Sequence, residues 1–166
     1  MNLMRLGTIV PHTIESNHDM TTTTPARPPG PSVSCVFICH DADGRILLAR
    51  RGTCARDEPG TWDTGAGGIE FGETFEEAVA REVREEYATD ALQIETIGVR
   101  NVLRENPPSH WVAVIFAVAV DSKTVRIGEP HKFDQLGWFA PDDLPSPLHS
   151  QTTAGLENFR AWRARR

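Results

Sequence analysis

The stretch Gly67 to Thr89, GGIEFGETFEEAVAREVREEYAT, constrains the fold of this chain more than any other, because its second half encodes a helix with a defined start. Thr74 followed three positions later by Glu77 is a capping-box pattern, in which each side chain satisfies a backbone N–H that the helix leaves open. At about 100° per residue, Val79, Val83, Ala80 and Tyr87 fall in one arc that faces a core. Glu73, Glu77, Arg81 and Arg84 fall on the opposite, solvated side. Between the two runs a third stripe, Glu82, Glu85 and Glu86, spaced i, i+3, i+4 so that three carboxylates project from one strip. Like charges at that spacing cost a helix about 0.2–0.5 kcal/mol per pair. The strip is therefore unfavourable unless a cation lies against it, and hard oxygen donors suit Mg²⁺ or Mn²⁺. Taken alone, such a segment also matches an ordinary solvated helix face; the residues upstream separate the two readings.

Gly67, five residues, Glu73, seven residues and then Arg81-Glu82-Val83-Arg84-Glu85-Glu86 follow the pattern G-x5-E-x7-R-E-U-x-E-E-x-G-U, with U an aliphatic residue. On these residues the chain resembles the Nudix hydrolases. Gly60-Thr61-Trp62 and Glu70-Phe71-Gly72-Glu73 are similar to the family's flanking G-x-W and E-x-G-E. Two box positions depart from it: Ala88 stands where the family has Gly, and Thr89 where it has an aliphatic residue. Upstream, Gly65-Ala66-Gly67 replaces the commoner Pro-Gly-Gly. Gly just past a helix usually serves a left-handed residue, and Ala in that conformation costs about 1 kcal/mol or more. Neither change removes a carboxylate.

The resemblance implies an α/β fold, a Nudix-type α/β/α sandwich with a mixed β-sheet between helices, over residues from about 33 to 160. It also implies a hydrolase that needs Mg²⁺ (or Mn²⁺), with Glu82, Glu85, Glu86 and the Ala66 carbonyl as metal ligands. Glu82 would be a ligand or the base, Arg81 would orient a neighbouring carboxylate, and Glu73 would support the loop–helix junction, with Glu70 a further candidate. The segment Glu129 to Trp138, EPHKFDQLGW, is similar to the stretch after the box in MutT-like nucleoside triphosphate diphosphatases. There a loop often adds a carboxylate to the metal cluster; the candidates are Glu129 and Asp134. Phe133 could stack on a base or pack beneath the sheet edge. Arg50, Arg51 and Arg56 could reach a substrate phosphate or be merely solvated. The expected substrate is a small nucleotide, a nucleoside triphosphate cleaved to monophosphate and pyrophosphate. An ADP-ribose or nucleotide-sugar pyrophosphatase is the alternative, and Ala88 and Thr89 leave open a nucleotide sensor that does not hydrolyse.

Residues 1–31 are expected to form a disordered tail, since Thr21 to Thr24 is a polar tract and Pro25, Pro28, Pro29 and Pro31 exclude regular structure. Met1 to Val10 is too short an apolar region for a secretory signal, and Met20 offers an alternative start. The domain is assigned to residues 32–166. Val33, Cys35, Phe37 and Cys39 alternate with Val36 and Ile38, apolar on both faces as a central strand requires. Asp41 to Gly44 supplies a turn, and Arg45 to Arg50 completes a hairpin. After the helix come a long strand, Leu92 to Leu103, with a bulge at Gly98, and Trp111 to Val120, the expected sheet centre. Leu148 to Arg166 is expected to be an amphipathic helix presenting Leu156, Phe159 and Trp162. A formal net charge of −6 argues against a stable nucleic-acid partner. It does not exclude a phosphorylated ligand reached through bound cations. No apolar run approaches the roughly 18–20 residues that span a bilayer. Cys35, Cys39 and Cys54 have neither disulfide nor zinc spacing, which favours a cytoplasmic protein; a homodimer remains open. A chain starting at Ser32 is expected to keep its fold and activity; lost turnover, or a melting temperature lower by more than a few degrees, would make the tail part of the domain.

Overall fold

The computed structural model describes residues 30–105 and 108–166. The tail expected over residues 1–31, with Met20 in it, lies outside the described residues but for Gly30 and Pro31. In chain order the elements are β1 (Ser32–His40), β2 (Ile46–Arg51), β3 (Trp62–Asp63), β4 (Gly65–Gly68), α1 (Phe75–Tyr87), β5 (Gln93–Glu105), β6 (Pro108–Ala119), β7 (Phe133–Phe139) and α2 (Thr152–Arg163). They form one mixed sheet ordered β3-β2-β1-β6-β5, with β4 also paired to β1 and β7 to β2. β1 and β6 run parallel over Ser32–His40 and Trp111–Ala119, while the other pairings are antiparallel.

Each face of this sheet carries a core. Cys35, Phe37 and Cys39 of β1 join Val114, Phe116 and Val118 of β6 beneath Ala78, Val79, Val83 and Tyr87 of α1. On the other face Ile38, Ile46, Leu48 and Ile115 pack under Leu156, Phe159 and Trp162 of α2. The period-2 alternation of β1 and β6 thus feeds two layers, giving an α/β/α sandwich. Burying a Val, Leu or Phe side chain contributes about 1.5–3 kcal/mol, so both helices are held mainly by these faces.

Two local expectations change. The β1–β2 hairpin exists only at its base, where His40 faces Ile46; Asp41 Oδ1 there accepts the Asp43 and Arg45 N–H groups. Beyond that point β4 takes the edge of β1, and β2 pairs instead with β7 and β3. In α1 the inner arc is Ala78, Val79, Val83, Glu86 and Tyr87. Ala80 is only half-buried, and a carboxylate occupies the place expected for an apolar residue. The bulge in β5 falls between Thr96 and Gly98, as expected.

The departures at the end of α1 are absorbed locally. Ala88 takes the left-handed conformation, φ 47 and ψ 36, and its N–H donates to the Arg84 carbonyl at 3.1 Å. Thr89 is buried, and its hydroxyl hydrogen-bonds that of Thr124, which itself donates to the Asp121 carbonyl. The polar atom in an aliphatic position is therefore satisfied. Ala88→Gly should relieve the strain of a Cβ at positive φ, a gain of about 1 kcal/mol, or a melting temperature about 2–4 °C higher. An unchanged or lower melting temperature in thermal unfolding would show that the cap is not strained.

Candidate active site

Strand β4 brings the backbone before the box against α1, and its glycines set how closely. Gly65 faces Phe37, whose ring would lie 1.9 Å from a Cβ built there, and Gly67 faces the Glu82 carboxyl group at the same 1.9 Å. Any side chain at Gly67 would displace Glu82. The Cys35 thiol donates to the Gly67 carbonyl at 3.4 Å, tying the same point to β1. α1 starts as its sequence indicates, with the Thr74–Glu77 capping box formed in both directions.

Arg81, expected on the solvated side, is the hub of the site. Its Nε and Nη2 donate to the two Glu73 oxygens at 2.7 and 3.0 Å, and Nη2 also reaches the Gly68 carbonyl at 3.0 Å. Nη1 donates to Glu82 at 2.8 Å and to Glu85 at 3.3 Å. One planar guanidinium thus fixes the loop before α1, the edge of β4 and two of the strip's carboxylates, as only a fork of five donors can. The Arg81 hydrogen bonds, with the Glu70 N–H, hold the Glu73 carboxyl down at about 2. Glu70 contributes that backbone N–H and keeps its side chain in solvent.

Glu86 is fully buried. Its Oε1 is bound by the Lys132 ammonium, which also lies 3.3 Å from Glu129, while its Oε2 has no partner. Burial pushes this carboxyl above the ordinary carboxylate range, and the Lys132 ammonium pulls it back. The loop carrying Lys132 is pinned: the Gly128 N–H donates to the Glu86 carbonyl at 2.9 Å, and a Cβ on Gly128 would stand 1.9 Å from the Glu85 carbonyl oxygen. At its far end the Gly52 N–H donates to the Lys132 carbonyl at 2.8 Å.

These residues fit a hard divalent cation. The donors are all oxygen, they share one helical strip, and a buried carboxylate oxygen is left without a partner, a state that costs about 1–3 kcal/mol unless something binds it. Arg81 and Lys132 take up the carboxylates instead, and no group of three acidic, His or Cys side chains that could hold a metal is present among the described residues. Glu85 is half exposed and pairs with Arg81 at 3.3 Å. Ala66 lies exposed in β4 opposite Val36, beside Gly67.

The structure distributes the other expected site residues unevenly. Glu129 stands beside Glu86 through Lys132. Asp134 instead pairs with Arg50 at 3.4 Å, and Arg50 also reaches the Gly60 carbonyl. Arg51, a candidate for a substrate phosphate or for solvent, is instead buried, and its guanidinium bonds Asp57 and Asp63. These two acids and the Asp57 carbonyl hold the guanidinium in a structural ion pair. Phe133 likewise offers no face to a base: it is 2% exposed and lies 6.2 Å from the Tyr87 ring. Lys132 is the neighbour of Glu86 that the sequence does not signal. It is one of only two lysines in the chain, but nothing local signals a partner 46 positions away.

The NUDIX domain family profile matches residues 28–162. The NAD-capped RNA hydrolase NudC of Pseudomonas aeruginosa is 33% identical over 135 residues, an alignment covering 81% of this chain but 45% of that protein, so the chain spans about half the length of that relative. The CTP pyrophosphohydrolase of Escherichia coli strain K12 is 31% identical over 135 residues, covering 81% of this chain and 96% of the relative. Among solved structures, a MutT NUDIX hydrolase from Burkholderia pseudomallei superposes with a TM-score of 0.70 at 35% identity, over 78% of this chain and 98% of that one.

Proposed function

Because the chain belongs to the Nudix family, we propose that it is a metal-dependent hydrolase that cleaves a diphosphate linkage in a nucleoside triphosphate, releasing a monophosphate and pyrophosphate. The observation that carries this reading is the acidic strip of α1, with Glu86 buried and one of its oxygens unpartnered beside Glu82 and Glu85. A bound Mg²⁺ or Mn²⁺ would neutralise adjacent phosphates and activate water. Glu85 and Glu86 are assigned as its main ligands, with Ala66 contributing its carbonyl and Glu82 acting as ligand or base. Arg81 is a positioning residue that holds Glu82 against Gly67 and ties it to Glu73. Water adds to one phosphorus, the bond from that phosphorus to the bridging oxygen breaks, and the proton from water passes to a carboxylate of the strip. The leaving group, pyrophosphate or the nucleoside monophosphate according to which phosphorus is attacked, departs with the bridging oxygen and the electron pair of the broken bond.

The triphosphate preference rests on the CTP pyrophosphohydrolase, nearly all of whose length the chain matches, and on the MutT-like run from Glu129 to Trp138. A cytoplasmic location is part of the same proposal; among the described residues no helix is long and apolar enough to cross a membrane. The test is turnover over nucleoside triphosphates, oxidised deoxynucleotides, nucleotide sugars, dinucleoside polyphosphates and ADP-ribose, with Mg²⁺ and with Mn²⁺. Pyrophosphate release from a triphosphate is the expected result. AMP from ADP-ribose in its place would transfer the assignment to the pyrophosphatase alternative, and tight nucleotide binding without turnover would make the protein a sensor.

A further inference from the structure

Resting on that reading of the strip, we propose that Lys132 is a resident cation of the site: its ammonium permanently holds the position between Glu86 and Glu129 that a divalent cation would otherwise take. One ammonium serves two carboxylates, Glu86 Oε1 and Glu129 Oε2, from a half-buried position. The arrangement is built. Lys132 N–H donates to the Glu129 carbonyl at 2.9 Å, its own carbonyl accepts from Gly52, and Gly128 docks on the end of α1. The ammonium also lies 5.1 Å from the centre of the Phe133 ring. A divalent ion bonded to the same two oxygens would stand within a few ångströms of Nζ, where repulsion in a half-buried site far exceeds thermal energy. The two occupants exclude one another. Glu86 Oε2 is buried and has no hydrogen-bond partner, so it is the oxygen that this reading leaves to a metal. Lys132 therefore lowers by one the number of divalent ions the site takes, and supplies a fixed positive charge in its place.

The test counts Mn²⁺ bound per full-length chain, by electron paramagnetic resonance of the free ion at equilibrium. Lys132→Met, which keeps an apolar stem, should bind one Mn²⁺ more than wild type, and Lys132→Arg should keep the wild-type number. Should Lys132→Met fail to fold, Glu129→Gln decides the matter, because its half-exposed side chain tolerates the change. Its Mn²⁺ count should equal that of wild type, since in wild type Glu129 holds the ammonium and no metal. An unchanged or lower count in Lys132→Met, or a lower count in Glu129→Gln, overturns the inference. If Glu85→Gln still loses Mn²⁺ in that case, the reading of the strip survives and only the role of Lys132 falls. If wild type binds no more Mn²⁺ than Glu85→Gln, both fall together.

Discussion

Glu85→Gln should lower turnover about a hundred- to ten-thousandfold while leaving the protein folded, because metal-borne charge stabilisation is worth several kcal/mol and each 1.36 kcal/mol is tenfold in rate. Stability should barely move. Glu85 is half exposed, and its ion pair with Arg81, at 3.3 Å and i,i+4 spacing, contributes about 0.3–0.5 kcal/mol. Relief of repulsion against Glu82 offsets most of that. Metal linkage separates this from a generic defect: Mg²⁺ should raise the melting temperature of wild type, and the rise should shrink in the variant. Pyrophosphate release and thermal unfolding, each with and without Mg²⁺, measure both halves. Near wild-type turnover at saturating metal and substrate would remove Glu85 from the catalytic centre.

Gly67→Ala should reduce turnover about ten- to a hundredfold, whereas Gly68→Ala next to it should be nearly silent. A Cβ at Gly67 would meet the Glu82 carboxyl at 1.9 Å, while one at Gly68 meets nothing within 4 Å. Neither glycine has a positive φ, so the contrast is steric. Relieving such an overlap typically costs about 1–3 kcal/mol. Here the cheapest relief is rotation of Glu82 off β4 and away from Arg81, which places the cost on the site more than on the core. Equal activities for the two variants would show that the fit of Glu82 against β4 does not matter to the reaction.

Much of this was legible because it is local. The capping box and the two-faced apolar alternation of β1 and β6 each follow from a period or a short spacing, and each appears as expected; of the i, i+3, i+4 carboxylates, Glu86 turns into the core. What escaped depends on residues far apart in the chain. Arg81 looks solvated by helical phase, yet Glu73, eight positions back, and the Gly68 carbonyl draw it inward. Glu86 looks like one of three equivalent surface acids, yet the 120–132 loop folds over it and leaves it fully buried. Arg51 carries the composition of a phosphate ligand, but Asp57 and Asp63 claim it only once β3 lies beside β2. The β1–β2 hairpin is shorter than its turn chemistry indicates for the same reason: the two strands pair at His40 and Ile46, and β4 takes the rest of that edge of β1 through the glycines that admit Phe37 and Glu82.

The claim that the α1 strip holds the catalytic metal is tested most directly by anomalous diffraction from crystals grown with Mn²⁺. The account predicts a manganese peak within bonding distance of the Glu85 and Glu86 carboxylates, with Glu85 turned from Arg81. A map with no peak at the strip, and Glu85 still bonded to Arg81 at saturating Mn²⁺, would contradict it.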